Sequence, residues 1–195
     1  MPKHDEKDSE NGGQEKVSPA ANSLFNSRTV LIFGEVRDRL ARSVSAQLLA
    51  LAHENNEPIR VFVNSPGGHV ESGDTIHDII RFIEPEVKMI GTGWVASAGA
   101  LIFAAAKPEN RVCLPNTRFL LHQPMGGAKG QASDIEIETQ QILQMRERLN
   151  RLFARETGQP YDQVVQKTER NFWMSPSEAI EFGLVSRVIE RASDL

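Results

Sequence analysis

The sequence contains very little cysteine and no long apolar run. Its 195 residues include one cysteine, Cys113, and carry a formal net charge of −4. One cysteine excludes an internal disulfide and a CxxC redox pair, which favours a reducing compartment. The longest nearly apolar run, 94–106, is far shorter than the roughly 20 residues that cross a bilayer. Because the first residues are charged rather than apolar, no signal peptide is expected. We expect a soluble, cytoplasmic protein that does not bind membranes.

Clustered positive charge and metal-ligand spacing are also lacking. The 22 Lys and Arg residues are interspersed with 26 Asp and Glu residues, so no basic face is expected to bind nucleic acid. The five histidines show no HExxH or similar ligand spacing. We therefore predict neither a metal site nor a cofactor. A chain of this length can bury enough surface to fold without disulfides or a structural metal.

Five short apolar segments and two helical stripes predict an α/β fold. The segments TVLIF, VFVN, VKMIG, VCLP and FLLH are rich in β-branched and large apolar residues, as buried strands are. Helical spacing follows the first two segments, with stripes formed by Val36, Leu40, Val44, Leu48, Leu51 and Ala52 and by Ile76, Ile79, Ile80 and Ile83. The alternation of strands and helices predicts βαβ units and a largely parallel sheet.

A longer helix is predicted from Asp134 to Thr157. Ser133 and Glu136 match a capping box at its start, and Gly158 matches a terminator at its end. Its length exceeds what the small domain requires. The helix is expected either to project and pack on another subunit or to lie along its own domain.

The two ends of the chain have different compositions. Residues 1–22 are polar and carry both signs of charge, which predicts a flexible tail ahead of a domain over 23–195. Near the other end, Ser175 and Glu178 match a second capping box, and Gly183 ends the short helix that follows.

The segment VKMIGTGWVASAGALIFAAA contains a serine at a predicted strand-to-helix turn. Backbone N–H groups at a helix start are unpaired and lie at the positive end of the helix dipole. An oxyanion that develops beside Ser97 would therefore be stabilised there. The alternative is that Ser97 is only the N-cap of the helix.

Two further segments contain residues suited to the same chemistry. In NSPGGHVESG, an N–H of Gly67 or Gly68 can point into a cleft beside Ser97, although a plain turn explains the pattern equally. In RFLLHQPMGG, His122 ends an apolar strand at the edge where open α/β proteins place a general base. A histidine without a catalytic role is the alternative.

Together these segments resemble the ClpP family, the proteolytic subunits of Clp proteases, from about Arg28 to Glu190. The resemblance is carried, in the family's order, by NSPGG, ASAGA, VCLPNTR, HQPMGG, GQASDIEIE and TERNFWMSPSEAIEFGLV. It implies a ClpP/crotonase-like fold of repeated βαβ units with a protruding handle helix.

The resemblance also implies catalytic roles. Ser97 would be the nucleophile and His122 its base, with the backbone N–H groups of Gly68 and Ala98 forming the oxyanion hole. Where the family has an aspartate that orients the histidine, this chain has Asn171. An amide accepts a hydrogen bond but supplies no charge, and in serine proteases such a replacement lowers kcat by about 10⁴. We therefore expect a Ser-His-Asn triad with low intrinsic activity.

Binding surfaces and partners follow from the same resemblance. A polypeptide substrate would lie extended along the backbone of Gly68, His69, Val70, Gly126 and Gly127. The handle helix would join two heptameric rings into a tetradecamer, with Glu169 and Arg170 near that contact. Loops of an AAA+ unfoldase would dock on a cleft formed by Phe62, Phe82, Ile90, Leu114 and Ile189. Arg60, Thr92 and Val112 depart from the family's preferences there, so this docking is expected to be weaker or redirected.

Three functions remain open at this stage. We favour a serine endopeptidase subunit that hydrolyses unfolded polypeptides delivered by an ATP-driven unfoldase. Asn171 suggests the alternative of a low-activity structural or regulatory paralogue in a mixed ring with an Asp-containing ClpP. An acyl-CoA enzyme of the crotonase type shares the fold, but such enzymes generally use acidic residues. Asp74 and Asp162 remain alternatives to Asn171 as partner of the histidine.

Overall fold

The computed structural model describes residues 18–195, which contain seven strands and seven α-helices. The strands are Thr29–Phe33 (β1), Ile59–Ser65 (β2), Val87–Ala96 (β3), Arg111–Cys113 (β4), Arg118–Leu121 (β5), Phe172–Met174 (β6) and Arg187–Val188 (β7). The helices are Pro19–Asn26 (α1), Asp38–Glu54 (α2), Val70–Phe82 (α3), Ala98–Phe103 (α4), Ala132–Thr157 (α5), Tyr161–Thr168 (α6) and Pro176–Glu181 (α7). In this described part of the chain, no helix is both long and apolar enough to cross a membrane.

The sheet is parallel except at one edge, as the strand and helix alternation predicts. Its main path runs β1-β2-β3-β4-β7, and β3 pairs with β4 through its first half and with β5 through its second. The short strand β6 pairs antiparallel with β5. All five predicted strands are confirmed. The strands β6 and β7 were not predicted, because runs of three and two residues are too short to show a periodicity.

The two predicted helical stripes form much of the core. In α2, Val44, Leu48 and Leu51 are almost completely buried, and in α3 Ile76 and Ile80 are buried. These side chains pack in one cluster with the inward residues of β1 and β2. The predicted stripes are confirmed except at their outer ends, since Val36 precedes α2 and pairs with Gly68, and Ile83 follows α3. The packing fixes the position of the last residue of each strand.

The end of α5 is as predicted, but its start is not. Gly158 ends the helix in the left-handed conformation at φ +72°. The helix begins at Ala132, after Gln131 as N-cap, and no side chain caps it. The predicted Ser133–Glu136 capping box is therefore wrong, because Ser133 lies inside the first turn. Residues 132–141 are all exposed, so only the second half of α5 packs on the domain.

The second predicted capping box is confirmed. The Ser175 side chain accepts from the Glu178 N–H at 3.4 Å, and a Glu178 carboxylate oxygen accepts from the Ser175 N–H at 2.8 Å. The Glu178 carboxylate accepts hydrogen bonds from the Ser175 N–H and from the Ser175 hydroxyl, and these lower the pKa of the Glu178 carboxyl group. At the other end of the chain, residues 1–17 lie outside the described part. Residues 19–22 of the predicted tail form the first half of α1, which Ser18 caps.

A buried ion pair attaches α5 to the sheet. Arg111 of β4 is completely buried, and its guanidinium donates to the Glu156 carboxylate at 3.0 Å and to the Glu156 carbonyl at 2.9 Å. Burial lowers the pKa of the Arg111 guanidinium, while the Glu156 charge opposes that shift. Arg81 and Arg155 also contact the Glu156 carboxylate, at 3.3 and 2.8 Å. The end of α5 is thus held at a defined position beside β4.

Candidate active site

Ser97 lies at a sharp turn between β3 and α4. Its φ of +54° and ψ of −121° are unusual for a residue with a side chain. The Ser97 N–H donates to the Leu120 carbonyl at 2.9 Å, which ties the turn to β5. The Ser97 side chain makes no capping hydrogen bond to α4. Ser97 is therefore the N-cap residue of α4 by position, as the alternative interpretation expected, but its side chain does not cap the helix.

The Gly67-Gly68 turn packs directly against the Ser97 turn. A Cβ atom on Gly67 would lie 2.5 Å from the Ser97 Cβ and 3.1 Å from the Ala98 nitrogen, so only glycine fits there. A Cβ atom on Gly68 would lie 2.3 Å from the Val36 carbonyl oxygen. Within residues 18–195, the backbone N–H groups of Gly68 and Ala98 have no protein acceptor. Two unpaired donors thus lie on adjoining backbone segments beside Ser97.

His122 follows β5 directly and is partly buried. Ser97 and His122 line one small cavity of about 20 Å³, together with Val70, Ala98, Leu101, Pro124, Leu149 and Phe153. The described side chains form no hydrogen bond between the Ser97 hydroxyl and the His122 ring. Such bonds are often long until substrate binds. A larger cleft of about 230 Å³ around Arg81 and Lys107 has no serine, cysteine or histidine in its lining.

The strand pairing brings Asn171 opposite His122. Leu121 pairs with Phe172 in the antiparallel β5–β6 ladder, so the next pair in this register is His122 with Asn171. Asn171 is exposed, and no hydrogen bond joins its side chain to His122 among the described residues. The Asp74 carboxylate accepts two hydrogen bonds from the Arg148 guanidinium, at 2.8 and 2.6 Å, so both of its oxygens already have a partner. Asp162 lies exposed in the first turn of α6. The register thus favours Asn171 over both aspartates.

Of the five residues predicted to bind substrate, Val70 lines the cavity and the other four do not belong to its lining. Gly68 and His69 are exposed, and the His69 ring contacts the Ser72 hydroxyl at 2.9 Å and the Glu71 carboxylate at 3.1 Å. Val70 begins α3 and lines the cavity. Gly126 and Gly127 are exposed in the segment between β5 and α5, and neither belongs to a strand.

The predicted ring-contact residues lie beside α5. The Glu169 carboxylate pairs with Arg146 of α5, and the Glu169 carbonyl accepts from the Gln123 side chain at 2.9 Å. Arg170 is exposed.

Four of the five predicted docking residues belong to a separate apolar cluster. Ile90, Ile189, Phe62 and Leu114 pack with Val112 and Leu195. Phe82 lies at the end of α3 and is 78% exposed, outside that cluster.

Four apolar residues of the cavity were not predicted from the sequence: Leu101, Pro124, Leu149 and Phe153. Leu149 and Phe153 belong to the second half of α5, within the predicted helix. The helical spacing of Leu149 and Phe153 places them on one face of α5. No local signal indicates that this face turns toward Ser97.

Comparison with known proteins agrees with the predicted resemblance. A family model described as Clp protease matches residues 12–192. The ATP-dependent Clp protease proteolytic subunit 2 of Gluconobacter oxydans is 62% identical over 181 residues, which are 92% of this chain and 81% of that protein. The proteolytic subunit 3 of Rhizobium johnstonii is 58% identical over 173 residues, 89% of each chain.

Solved structures give the same result. ClpP1 from Listeria monocytogenes matches with a TM-score of 0.82 and 52% identity, covering 90% of this chain and 99% of that one. An asparagine-to-aspartate variant of that protein matches with a TM-score of 0.84 and 53% identity, covering 89% and 98%.

Fold and cavity define an α/β protein in which a serine and a histidine meet at the carboxyl edge of a parallel sheet. The family match extends over most of the chain and assigns the chain to one family within this class of α/β proteins. The chain belongs to the Clp protease family, which implies serine peptidase chemistry. The predicted resemblance and fold class are confirmed, and the match does not favour the acyl-CoA alternative.

Proposed function

We propose that the chain is a serine endopeptidase subunit of a Clp protease, with Ser97 as nucleophile and His122 as base. The observation that carries the proposal is the shared cavity that Ser97 and His122 line. The unpaired N–H groups of Gly68 and Ala98 beside Ser97 add the donors that an oxyanion requires.

The reaction follows from these groups. His122 takes the hydroxyl proton of Ser97 as the serine oxygen attacks the peptide carbonyl carbon. The resulting oxyanion accepts hydrogen bonds from the N–H groups of Gly68 and Ala98. The C–N bond then breaks, and His122 gives its proton to the leaving amine. A water molecule, deprotonated by His122, then attacks the carbonyl carbon of the acyl-serine ester. The C–O bond to Ser97 breaks, the Ser97 oxygen takes the proton from His122, and the acid product leaves.

Asn171 is the third member of this group. Its side-chain carbonyl would accept a hydrogen bond from the His122 ring, for which the β5–β6 register provides the position. Since an amide carries no charge, it does not stabilise the imidazolium that forms during attack. The backbone of Gly68, His69 and Val70, facing Gly126 and Gly127, would bind an extended polypeptide by strand addition.

Covalent labelling of the nucleophile tests this proposal. A fluorescent fluorophosphonate and a short fluorogenic peptide are incubated with the wild-type chain, with Ser97→Ala and with Ser43→Ala as control. Ser43 is an exposed serine on α2, away from the cavity. Loss of labelling and cleavage only in Ser97→Ala supports the proposal. Unchanged labelling in that variant removes Ser97 from the mechanism.

A second candidate function is a low-activity subunit of a mixed ring. The uncharged Asn171 favours it, since catalysis would then depend on an Asp-containing paralogue in the same particle. The names of the relatives number them as subunits 2 and 3. Native mass spectrometry of the chain alone and co-expressed with such a paralogue discriminates the two functions. A homomeric particle that cleaves peptides excludes a requirement for the paralogue.

The assembly that we propose has two heptameric rings joined through the first half of α5. The exposure of residues 132–141 and the ion pair between Glu169 and Arg146 of α5 support this contact, and Arg170 would lie near it. The cluster of Phe62, Ile90, Leu114 and Ile189 would receive loops of an AAA+ unfoldase, in the cytoplasm. Phe82, which lies exposed at the end of α3, would contact the same unfoldase loops.

A further inference from the structure

His69, the residue after Gly68, has a side chain that joins the first turns of two helices. It is the N-cap residue of α3 by position, and its ring Nδ1 lies 2.9 Å from the Ser72 hydroxyl oxygen. The Ser72 hydroxyl donates to the Asp38 carboxylate of α2 at 2.7 Å. The other ring nitrogen, Nε2, lies 3.1 Å from the Glu71 carboxylate. The side chains of His69, Ser72, Asp38 and Glu71 form what we call the His69 clasp.

The protons available to the clasp determine which charge of the His69 ring fits it. The Ser72 hydroxyl has one proton and gives it to Asp38, so its oxygen accepts from the His69 Nδ1–H. An Nε2 without a proton would direct its lone pair at the Glu71 carboxylate, which can only accept. Both contacts are favourable only when both ring nitrogens carry a proton. The geometry therefore fits the positively charged imidazolium, and Asp38 adds a second counter-charge at 3.5 Å from Nδ1.

Charged side chains of two neighbouring segments lie near the clasp, and their charges are already paired. Glu35 and Arg37, in the segment that leads into α2, form an ion pair with each other. Arg148 of α5 forms two hydrogen bonds with Asp74 of α3. The hydrogen bonding to Asp74 raises the pKa of Arg148, and the charge of Glu71 adds to that effect. Among the described residues, the charged groups that contact the ring directly are the two carboxylates of the clasp, which favours the positive form of the ring.

The exposure of the ring makes its charge dependent on pH. The His69 side chain is 55% exposed, so water can solvate the neutral ring. A histidine side chain changes its charge between about pH 5 and pH 8. Because the imidazolium fits the clasp, the clasp is complete at the acidic end of this range. As the pH rises, the ring loses its second proton and with it the hydrogen bond to Glu71.

Backbone hydrogen bonds connect the clasp to the Gly67-Gly68 turn. The Val36 N–H donates to the Gly67 carbonyl at 2.8 Å, and the His69 N–H donates to the Val36 carbonyl at 2.9 Å. Gly68 lies between these two bonds at a φ of +145°, and a glycine has little conformational preference of its own. Asp38 follows Val36 by two residues, so the clasp joins the same two segments through side chains. Loosening of the clasp therefore acts on Gly68, whose N–H is a proposed oxyanion donor.

We propose that His69 is a positioning residue of the oxyanion hole, and that its imidazolium form holds the Gly68 N–H in the direction that an oxyanion beside Ser97 requires. The inference rests on the proposed peptidase function and adds a regulation by pH to that site. His69 takes no part in bond breaking, and it acts on the rate through the clasp. The advantage that the clasp gives to catalysis is therefore largest at low pH and is lost as the pH rises.

The pH dependence of kcat tests this positioning role. An uncharged fluorogenic peptide is cleaved by the wild-type chain and by His69→Gln from about pH 6 to pH 8.5, and both are also measured in the Asn171→Asp background. Both chains contain His122, so the titration of His122 cancels in the ratio of the two kcat values. We expect wild type to exceed His69→Gln about fivefold at pH 6, the factor typical of an exposed charged contact. The ratio should fall toward one at pH 8.5.

Two further variants separate the charge of the ring from its packing. His69→Arg keeps a positive charge and N–H donors over the whole pH range. Glu71→Gln offers an amide donor to the neutral ring, so the clasp no longer requires the second proton. The kcat of each variant, divided by that of His69→Gln, should not fall with pH. His53→Gln is the matched control, because His53 is an exposed histidine on α2 outside the clasp, and its kcat should equal that of wild type at every pH.

The outcomes separate this inference from the proposed function. A ratio of wild type to His69→Gln that is the same at pH 6 and pH 8.5 overturns the inference alone. An equal change with pH in His53→Gln also overturns it, as does an effect on KM without an effect on kcat, because the oxyanion forms only after substrate has bound. If neither background cleaves the peptide at any pH and the fluorophosphonate does not label Ser97, the proposed function fails, and the inference fails with it.

Discussion

At the scale of single residues, the conformation of Ser97 is the unusual feature. A non-glycine residue at positive φ costs about 1–3 kcal/mol and persists only where its surroundings enforce it. Here the Leu120 carbonyl holds the Ser97 N–H, and the glycine at 67 leaves room for the turn. In this conformation the Ser97 side chain makes no capping hydrogen bond to α4.

Gly67→Ala tests this dependence. The new Cβ atom would lie 2.5 Å from the Ser97 Cβ at a φ of +94°, so the Ser97 turn has to move. We expect at least a tenfold slower labelling of Ser97 by a fluorophosphonate, together with a lower Tm. Gly34→Ala is the control, because Gly34 has a similar φ of +85° and open space around its Cα. It should cost about 1–2 kcal/mol of stability and leave labelling unchanged. Equal labelling rates in both variants would contradict the prediction.

Asn171→Asp tests the role of Asn171 as the proposed partner of His122. The β5–β6 register places position 171 opposite His122, and a carboxylate there would stabilise the imidazolium that forms during catalysis. We expect kcat for a short peptide to rise at least tenfold, toward the factor of about 10⁴ known for the reverse change. KM should change little, because position 171 does not line the cavity. The control is Asp162→Asn on the exposed surface of α6, which should leave kcat unchanged.

Cys113 is the single thiol of the chain and lies in β4. Burial raises the pKa of this thiol to about 11, so it stays protonated at neutral pH. Because the thiolate is the reactive form, we expect no reaction with Ellman's reagent at pH 8 in the folded protein. One equivalent should react after unfolding in guanidinium chloride. Rapid reaction of the native protein would contradict the burial of this side chain.

At the scale of elements, the site depends on three neighbouring strands. The strand β3 leads into Ser97, β5 leads into His122 and β6 follows Asn171. On the exposed face, Trp94 of β3 stacks with Trp173 of β6 at 6.5 Å, and the Arg118 guanidinium of β5 lies 4.3 Å from the centre of the Trp173 ring. These contacts join all three strands, so β6 keeps its register although it has only three residues.

The attachment of α5 to β4 depends on the buried ion pair between Glu156 and Arg111. Glu156→Gln would leave the Arg111 guanidinium buried without a counter-charge, which costs about 3–5 kcal/mol. We expect a corresponding loss in the free energy of unfolding, measured by urea denaturation. Glu147→Gln on the same helix breaks an exposed pair with Arg151 and should leave the unfolding midpoint nearly unchanged. A similar loss in both variants would show that the burial of the pair is unimportant.

At the scale of the whole molecule, apolar side chains remain exposed on the first half of α5. Ile137 is 58% exposed on a segment, 132–141, whose residues are all exposed. A monomer gains nothing from such a surface, and packing of a second copy would bury it.

Ile137→Asp is expected to separate the proposed rings. A buried carboxylate at the contact between two handles would be desolvated without a partner. Native mass spectrometry should show a shift from fourteen subunits to seven or fewer, while circular dichroism stays unchanged. Ile180→Asp is the control, since Ile180 is 38% exposed on α7, away from the handle. A particle of unchanged mass in Ile137→Asp would place the ring contact elsewhere.

Local patterns by themselves determined the parallel α/β architecture, both helical stripes, the end of α5 and the capping box at Ser175. These features depend on neighbours within one turn or one strand, so periodicity and capping residues encode them directly. The order of the segments also sufficed to identify the family resemblance. The short strands β6 and β7 were missed, because contacts with other parts of the fold, rather than local propensity, stabilise them. The start of α5 was predicted two residues late, since no side chain caps it.

Only the tertiary structure decided which residues meet. The Ser97 side chain makes no capping hydrogen bond, and it lines the same cavity as His122. The β5–β6 pairing ends at Leu121 and Phe172, so that Asn171 is the next residue opposite His122 in that register. The tertiary structure also closed the cavity with Leu149 and Phe153, whose sequence spacing predicts only an apolar face. Packing between elements distant in the chain sets the shape and size of a cavity, and no local pattern records that packing.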